Sequence, residues 1–369
     1  KGNSFNCESS NVQGLLGRRS WRLGSDIIAS IDSAISDGVD VLSLSFGSDE
    51  PLLALYEDAI AIATFSDKEK GVFVSASAGN DGPFLGSMHN GIPWVTTVAS
   101  GTFGSEFHGT LTLGNGVQII GLSLYHGNLS LSHVPIVFLG SWGIVKELVK
   151  VRNNIVVCED KNDNIIGKVS NVYEANVVAA VFISNSSYSS SFLDNRFASI
   201  IVSPINGEIV KAYINSTNSG AAEASVSFQT VMGTRQAPSV DDYSSRGPSS
   251  SCPFVLKPDI TAPGTNILAA WPPNVPAPMF GFQNIYTNFN LLSATSMACP
   301  HVAGVAALLR GAHRDWSPAT IRSAIMTTSD IFDNTMGLIK DVGDYFKPAS
   351  PLALGAGNVN PNRALDPGL

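Results

Sequence analysis

The feature that most narrows the fold lies in residues 25–76, where amphipathic helix patterns alternate with β-rich apolar runs. In "SDIIASIDSAISDG", Ile27, Ile28, Ile31, Ala34 and Ile35 fall on one face at helical spacing, with Ser25 or Asp26 able to cap the start and Gly38 the end. "VDVLSLSF" follows as a strand of the kind buried in a parallel sheet. "LYEDAIAIATFSDKEKG" predicts a second helix closed by a glycine, and "VFVSA" the next strand. This β-α-β order implies an α/β fold with parallel neighbours and right-handed crossovers.

A chain of 369 residues with 44 % hydrophobic and 14 % charged residues can bury a large core, in one big domain or two ordinary ones. A formal net charge of -8 argues against nucleic acid or an anionic membrane surface as a partner. No apolar run is long enough to span a bilayer, so membrane insertion is not expected. The start, "KGNSFNCESS", is polar and has no initiator methionine, as expected of an excised or truncated piece. The four cysteines, Cys7, Cys158, Cys252 and Cys299, form no CxxC pair and no metal-ligand spacing. They permit disulfides without demanding them, and no metal or cofactor is expected. Three N-x-[ST] triplets, at Asn128, Asn185 and Asn215, fit a secreted glycoprotein.

The texture changes at about residue 101 and returns at about 236. Between these points "NNIVVCED", "VVAAVFIS" and "ASIIVS" read as strands, "GEIVKAYINS" as a short helix, and "ASVSFQTV" alternates with period two. The block is long enough to be an inserted domain. Beyond it, "SPATIRSAIMTTS" predicts a helix capped by Ser317 with Pro318 in its first position.

The chemistry centres on "LLSATSMACPHVAGVAALL", residues 291–309. Val302, Val305, Ala306 and Leu309 form the apolar stripe of a buried helix, and Pro300 is tolerated only near a helix start. Ser296 stands at the helix entrance, where a serine can be a plain cap or a nucleophile. A nucleophile there would gain from the N–H groups and dipole of the helix, given a second oxyanion donor from elsewhere. Asn80, in the glycine-flanked turn "SASAGNDGP", is a candidate donor and equally an ordinary turn residue.

"SATSMACPHVAGVAALL" closely resembles the serine motif of the subtilisin-like serine proteases, and "SASAGNDGP" their oxyanion-asparagine motif. "DGVDVLSLSFG" resembles their cleft-lining strand. "YSSRGP", "LKPDITAPGTNILAAW", "WSPATIRSAIMTT" and "GAGNVNPNRALDPGL" look like the plant, cucumisin-like branch. The resemblance implies a subtilisin-like three-layer α/β fold with a largely parallel central sheet. Residues 1–100 and 236–369 would be two parts of the catalytic domain, and 101–235 an inserted, β-rich protease-associated domain with its connecting strands. It implies a secreted, extracellular serine endopeptidase, of the apoplast or cell wall, that acts on peptide or protein substrates. Ser296 would be the nucleophile, and Asn80 with the Ser296 N–H the oxyanion hole. Ser45, Phe46 and Gly47, with Ser77, Ala78 and Gly79, would flank the specificity pocket and pair with substrate backbone. Phe46 can equally be a core aromatic.

The resemblance also exposes departures. The family's aspartate and histidine motifs would precede residue 25, and no histidine occurs before His89. His108-Gly-Thr imitates part of the histidine motif inside the insert and reads as a decoy. His301 lies five residues beyond Ser296 on the same helix, about 140° round it, so it cannot serve as the base; its family counterpart is a packing histidine. His313 reads as a surface residue at a helix end. Asp259 and the pair Asp241-Asp242 show no sign of orienting a catalytic histidine. The reading is therefore a fragment lacking the aspartate and histidine motifs and a C-terminal fibronectin-like domain. The alternative is a non-catalytic, peptide-binding pseudoprotease. Ala294 replaces a family glycine, which would cost of order 1 kcal/mol if the backbone there needs φ > 0. Asn358 replaces a family histidine, as a surface change.

Overall fold

The computed structural model describes residues 9–11, 24–47, 54–123, 125, 130–140, 145–160, 165–184, 197–217, 222–232, 236–276 and 286–368. The chain divides into two compact units: Lys1–Gly104 with Gln236–Leu268 and Leu291–Leu369, and Ser105–Arg235 with Ala269–Asn290.

The first unit is built on an eight-stranded sheet. Its strands are β1 (Ser9–Asn11), β2 (Val41–Leu44), β3 (Phe73–Ser77), β4 (Thr96–Gly101), β5 (Ser239–Val240), β6 (Ile260–Pro263), β7 (Lys340–Asp341) and β8 (Lys347–Pro348). The spatial order is β1-β2-β3-β4-β5-β7-β8, with β6 also paired to β4. β1 to β4 run parallel, in registers such as Val41↔Phe73 and Ser77↔Val98, and β6 is parallel to β4. The antiparallel pairs, β4·β5 and β7·β8, are short.

Side-chain alternation along the strands gives the sheet two buried faces. Leu42, Leu44, Val74 and Ala76 pack with Ile31 and Ala34 of α1 (Gly24–Ser36) and with Ile60, Ala61 and Ala63 of α2 (Ala59–Glu69). Val41, Phe73, Val98 and Ile260 pack on the other face against Ala298, Val302, Ala306 and Leu309 of α3 (Thr295–Ala312) and Ile321 and Ile325 of α4 (Pro318–Thr327). The result is helix, sheet, helix. Each fully buried Val, Ile or Leu contributes about 1.5–3 kcal/mol, enough for the two faces together to fix the layering.

Local signals set the helix starts. Asp58 Oδ1 accepts from the N–H groups of Ile60 (2.8 Å) and Ala61 (3.4 Å), so α2 begins at Ala59, and Leu55–Glu57, which the apolar pattern drew into the helix, form a turn. Ser317 caps α4 through the Thr320 N–H, with Pro318 first in the helix. Gly38 and Gly71 follow α1 and α2 at φ +79° and +81°.

In the second unit seven strands close a barrel in the order Ser199–Val202, Gln118–Leu122, Ser105–Leu113, Glu223–Met232, Leu131–Phe138, Ile155–Glu159 and Ala179–Ile183. The strands expected in "NNIVVCED", "VVAAVFIS" and "ASIIVS" are present, and the helix expected in "GEIVKAYINS" begins earlier, at Pro204, behind a Ser203 cap. Leu111, Ile136, Ile155, Val181 and Ile200 share one core, while Val156, Cys158 and Phe182 pack with Val169 and Val172 in another. Among the described residues no helix is long and apolar enough to cross a membrane.

Candidate active site

The entrance of α3 is capped from a distance. Its N-cap residue, Ala294, has extended backbone (φ -172°, ψ 164°) and no capping side chain. That geometry suits any residue, so the feared strain at Ala294 does not arise. Ser296 is the second residue of the helix, and its hydroxyl does not cap it. Instead the hydroxyl donates to the Ser45 carbonyl, 3.2 Å away. The cap is supplied by Asn80, whose Oδ1 accepts from both the Thr295 N–H and the Thr295 hydroxyl, each at 2.9 Å. A backbone N–H can only donate, so the amide oxygen must face Thr295 and Nδ2 must point the other way. Among the described residues neither Asn80 Nδ2 nor the Ser296 N–H has a hydrogen-bond partner. Two donors are left open at the positive end of a helix, Asn80 being exposed and Ser296 half-buried. That is the requirement for holding an oxyanion.

Ser296 is fixed to Ser45, the residue just after β2. Ser45 Oγ returns a hydrogen bond to the Ser296 carbonyl (2.9 Å), so the two serines are joined twice. The Ser296 carbonyl is open to this bond because its helical partner four residues on is Pro300, which has no N–H. Pro300 is thus the sixth residue of the helix, beyond the first turn where the sequence pattern placed it. One turn along, Ser75 Oγ donates to the Cys299 carbonyl (2.9 Å) and the Cys299 thiol lies 3.6 Å from the Leu44 carbonyl. Burial pushes the Cys299 thiol pKa up, which keeps it an inert packing group.

Segments 45–47 and 77–79 extend from β2 and β3 beside Ser296. Ala78 donates to the Val98 carbonyl (2.9 Å) and accepts from the His89 N–H (2.8 Å). Gly79 donates to Thr295 Oγ1 (3.3 Å) and accepts from the Ser245 N–H (3.0 Å). Phe46 is half-buried against the α1–α2 core, so its aromatic ring has a packing role. Sequence reasoning missed Asn90. It is buried at φ +50°, and its Nδ2 donates to the carbonyls of both Phe46 (2.8 Å) and Ser77 (2.9 Å), joining the two segments. The available signal was "HNG", an asparagine suited to the left-handed turn.

The remaining residues singled out by sequence fall elsewhere. His108 sits in mid-strand in the second unit, opposite Leu122 and Gln229. His301 is exposed among the described residues, its Nδ1 paired with the Met297 carbonyl (2.8 Å), where the resemblance led us to expect a packing histidine. His313 ends α3, stacked on Trp316 at 4.0 Å. Asp259 is buried between Lys257 Nζ (2.6 Å), Arg322 and the Thr97 N–H (2.7 Å), and Asp241 between Ser100 and Tyr243. Both are structural. Asn358 is half-buried, pairing with the Asp330 backbone, and is not the surface residue the sequence suggested. Of the glycosylation triplets, Asn215 is exposed near the end of helix Pro204–Ser216, while Asn128 and Asn185 lie outside the described residues, as does Cys7. Cys158, Cys252 and Cys299 are free thiols.

The serine at the helix entrance, with two donors left open among the described residues, thus stands on a three-layer α/β scaffold. The family model for the subtilase family (peptidase S8) matches residues 22–357, and the chain belongs to that family. It is 45 % identical over 355 residues to the subtilisin-like protease SBT3 of Solanum lycopersicum, covering 94 % of this chain and 46 % of that protein. It is 42 % identical over 363 residues to the subtilisin-like protease SBT1.9 of Arabidopsis thaliana, covering 95 % and 47 %. A third plant relative, SBT1.2 of Arabidopsis thaliana, is 38 % identical over 358 residues, covering 94 % and 45 %. The chain spans about half the length of the curated relatives it matches.

Proposed function

We propose that the natural product carrying this chain is a secreted serine endopeptidase that cleaves peptide or protein substrates through an acyl-enzyme on Ser296. The observation that carries this is the Asn80–Thr295 lock: it spares the Ser296 hydroxyl from capping and leaves Asn80 Nδ2 and the Ser296 N–H open as oxyanion donors. Segments 45–47 and 77–79 flank the specificity pocket. The barrel unit is the protease-associated domain, and Asn215 carries a glycan at an exposed helix end. The histidine base and its carboxylate partner come from outside the described residues, because the Ser296 hydroxyl here meets only the Ser45 carbonyl.

That same bond supports a second reading, a pseudoprotease that binds peptides without cleaving them. A fluorophosphonate probe separates the two. Labelling of the native product, lost in Ser296→Ala, is the expected result. An unlabelled, folded product that still binds peptides would leave only the binding role.

A further inference from the structure

We infer that the first unit holds a second ligand site, for a small aromatic carboxylic acid, at the end of the sheet away from Ser296. Ser45 and Asn80 follow the C-terminal ends of β2 and β3. At the other end, where β3 and β4 begin, a cavity of about 420 Å³ opens between the last turn of α2 and the start of α4. Lys68, Phe73, Trp94, Arg322, Ser323 and Met326 are among its lining residues. Small-molecule sites run to about 300–1,000 Å³ and are mostly apolar with a few polar groups, and this cavity fits both conditions. The inference does not depend on the chemistry at Ser296.

The apolar wall is already in place. Trp94 Nε1 donates to Thr64 Oγ1 (3.1 Å), and Phe65 meets the indole edge-to-face with centroids 5.2 Å apart. Trp94 is half-buried, so part of its ring system stays open to an aromatic ligand. Two cations and no carboxylate line the cavity among the described residues. Arg322 Nη1 donates to the Pro93 carbonyl (2.7 Å) and Nη2 to Asp259, which spends two of its five N–H donors and leaves the side chain 25 % exposed. Asp259 does not cancel this charge, because the same carboxylate also faces Lys257 Nζ at 2.6 Å. Lys68 is exposed, with its ammonium 6.0 Å from the Phe65 ring centroid and no ion pair among the described residues. Pro318 and Ala319 add the positive end of the α4 dipole. In a chain of net charge -8, such a spot selects an anion, and the guanidinium suits a carboxylate. The indole wall then asks that the carboxylate carry a ring.

The test measures binding of 3-phenylpropionate to the natural product by calorimetry, beside its uncharged amide and acetyl-Gly-Gly-Phe. The acid should bind with a Kd of about 0.1–1 mM, the scale set by its few atoms. The amide should bind at least about tenfold more weakly, for want of charge-assisted hydrogen bonds. Lys68→Gln should weaken the acid about 2–5-fold. Ser323→Trp, which sets an indole in the cavity, should abolish binding. Both positions are exposed, so both variants should fold. Acid that fails to bind by about 10 mM overturns the inference. So does an amide that binds as tightly as the acid, or a folded Ser323→Trp protein that binds the acid as wild type does. Acetyl-Gly-Gly-Phe binding that is tighter than that of the acid, and that Ser323→Trp also abolishes, would assign the cavity to the carboxyl end of a peptide and overturn the small-acid reading.

Discussion

Asn80 does two jobs with two atoms, and substitution can separate them. Its Oδ1 caps α3 through the Thr295 N–H and hydroxyl, both at 2.9 Å, and its Nδ2 is the proposed oxyanion donor. Asn80→Ala removes both. Losing the cap costs about 1 kcal/mol, within a range of about 0.5–2, or roughly 2–4 °C in Tm per kcal/mol for a domain of this size. Losing the donor lowers kcat by about 10²–10³, as found for removing such a donor from a subtilisin. Asn80→Asp keeps an acceptor facing Thr295 and adds a carboxylate at the helix start, worth about 0.3–1 kcal/mol of stability. It has no N–H to offer and sets a negative charge beside the oxyanion, so kcat should fall at least as far as in Asn80→Ala. The assay pairs calorimetric Tm with kcat on the natural product. The expected pattern is a lower Tm for Ala only and a lower kcat for both. An Asn80→Asp protein with near-wild-type kcat would refute the donor role, and one as unstable as Asn80→Ala would refute the distant cap.

Three further outcomes can be checked. Asp67 is buried with neither carboxylate oxygen hydrogen-bonded among the described residues, and burial, reinforced by Asp32, pushes its pKa from 3.8 to about 7. A folded pKa above the unfolded one means folding binds a proton, so the carboxyl lowers stability increasingly from pH 4 to pH 7. Asp67→Asn should match wild type near pH 4 and exceed it by up to roughly 4 kcal/mol at pH 8 in urea titrations; a gap independent of pH would refute this. Lys257→Met removes the 2.6 Å partner of the buried Asp259 carboxylate while Arg322 and the Thr97 N–H remain, and should cost about 1.5–3 kcal/mol in the same titration, with a loss under about 1 kcal/mol refuting the pairing. Pro300→Ala restores a helical N–H that competes with Ser45 for the Ser296 carbonyl, so Tm should rise while fluorophosphonate labelling slows; a fall in Tm would show that the proline does not weaken this turn.

The layering was legible because it follows from local periodicity. Ile31 and Ala34 at helical spacing, and Val41, Leu42 and Leu44 in a β-rich run, state which elements exist and which faces are buried. The Ser317 cap and the strand "NNIVVCED" were legible for the same reason, each signal acting within a few residues. The end of the apolar pattern was a poorer guide to a helix start, because at Asp58 one cap outweighed three residues of periodicity.

By itself, then, the sequence determined the alternation of elements, the family resemblance and the identity of Ser296 and Asn80 as candidates, since each is written in a short contiguous stretch. Tertiary structure alone decided what those residues do to one another. The Thr295 N–H meets an oxygen 215 residues away in sequence, and Ser45 meets the carbonyl that Pro300 leaves open, across 251 residues. Hydrogen bonds and excluded volume act over ångströms, and only the parallel sheet, by bringing the ends of β2, β3 and α3 together, turns distances along the chain into distances of that size.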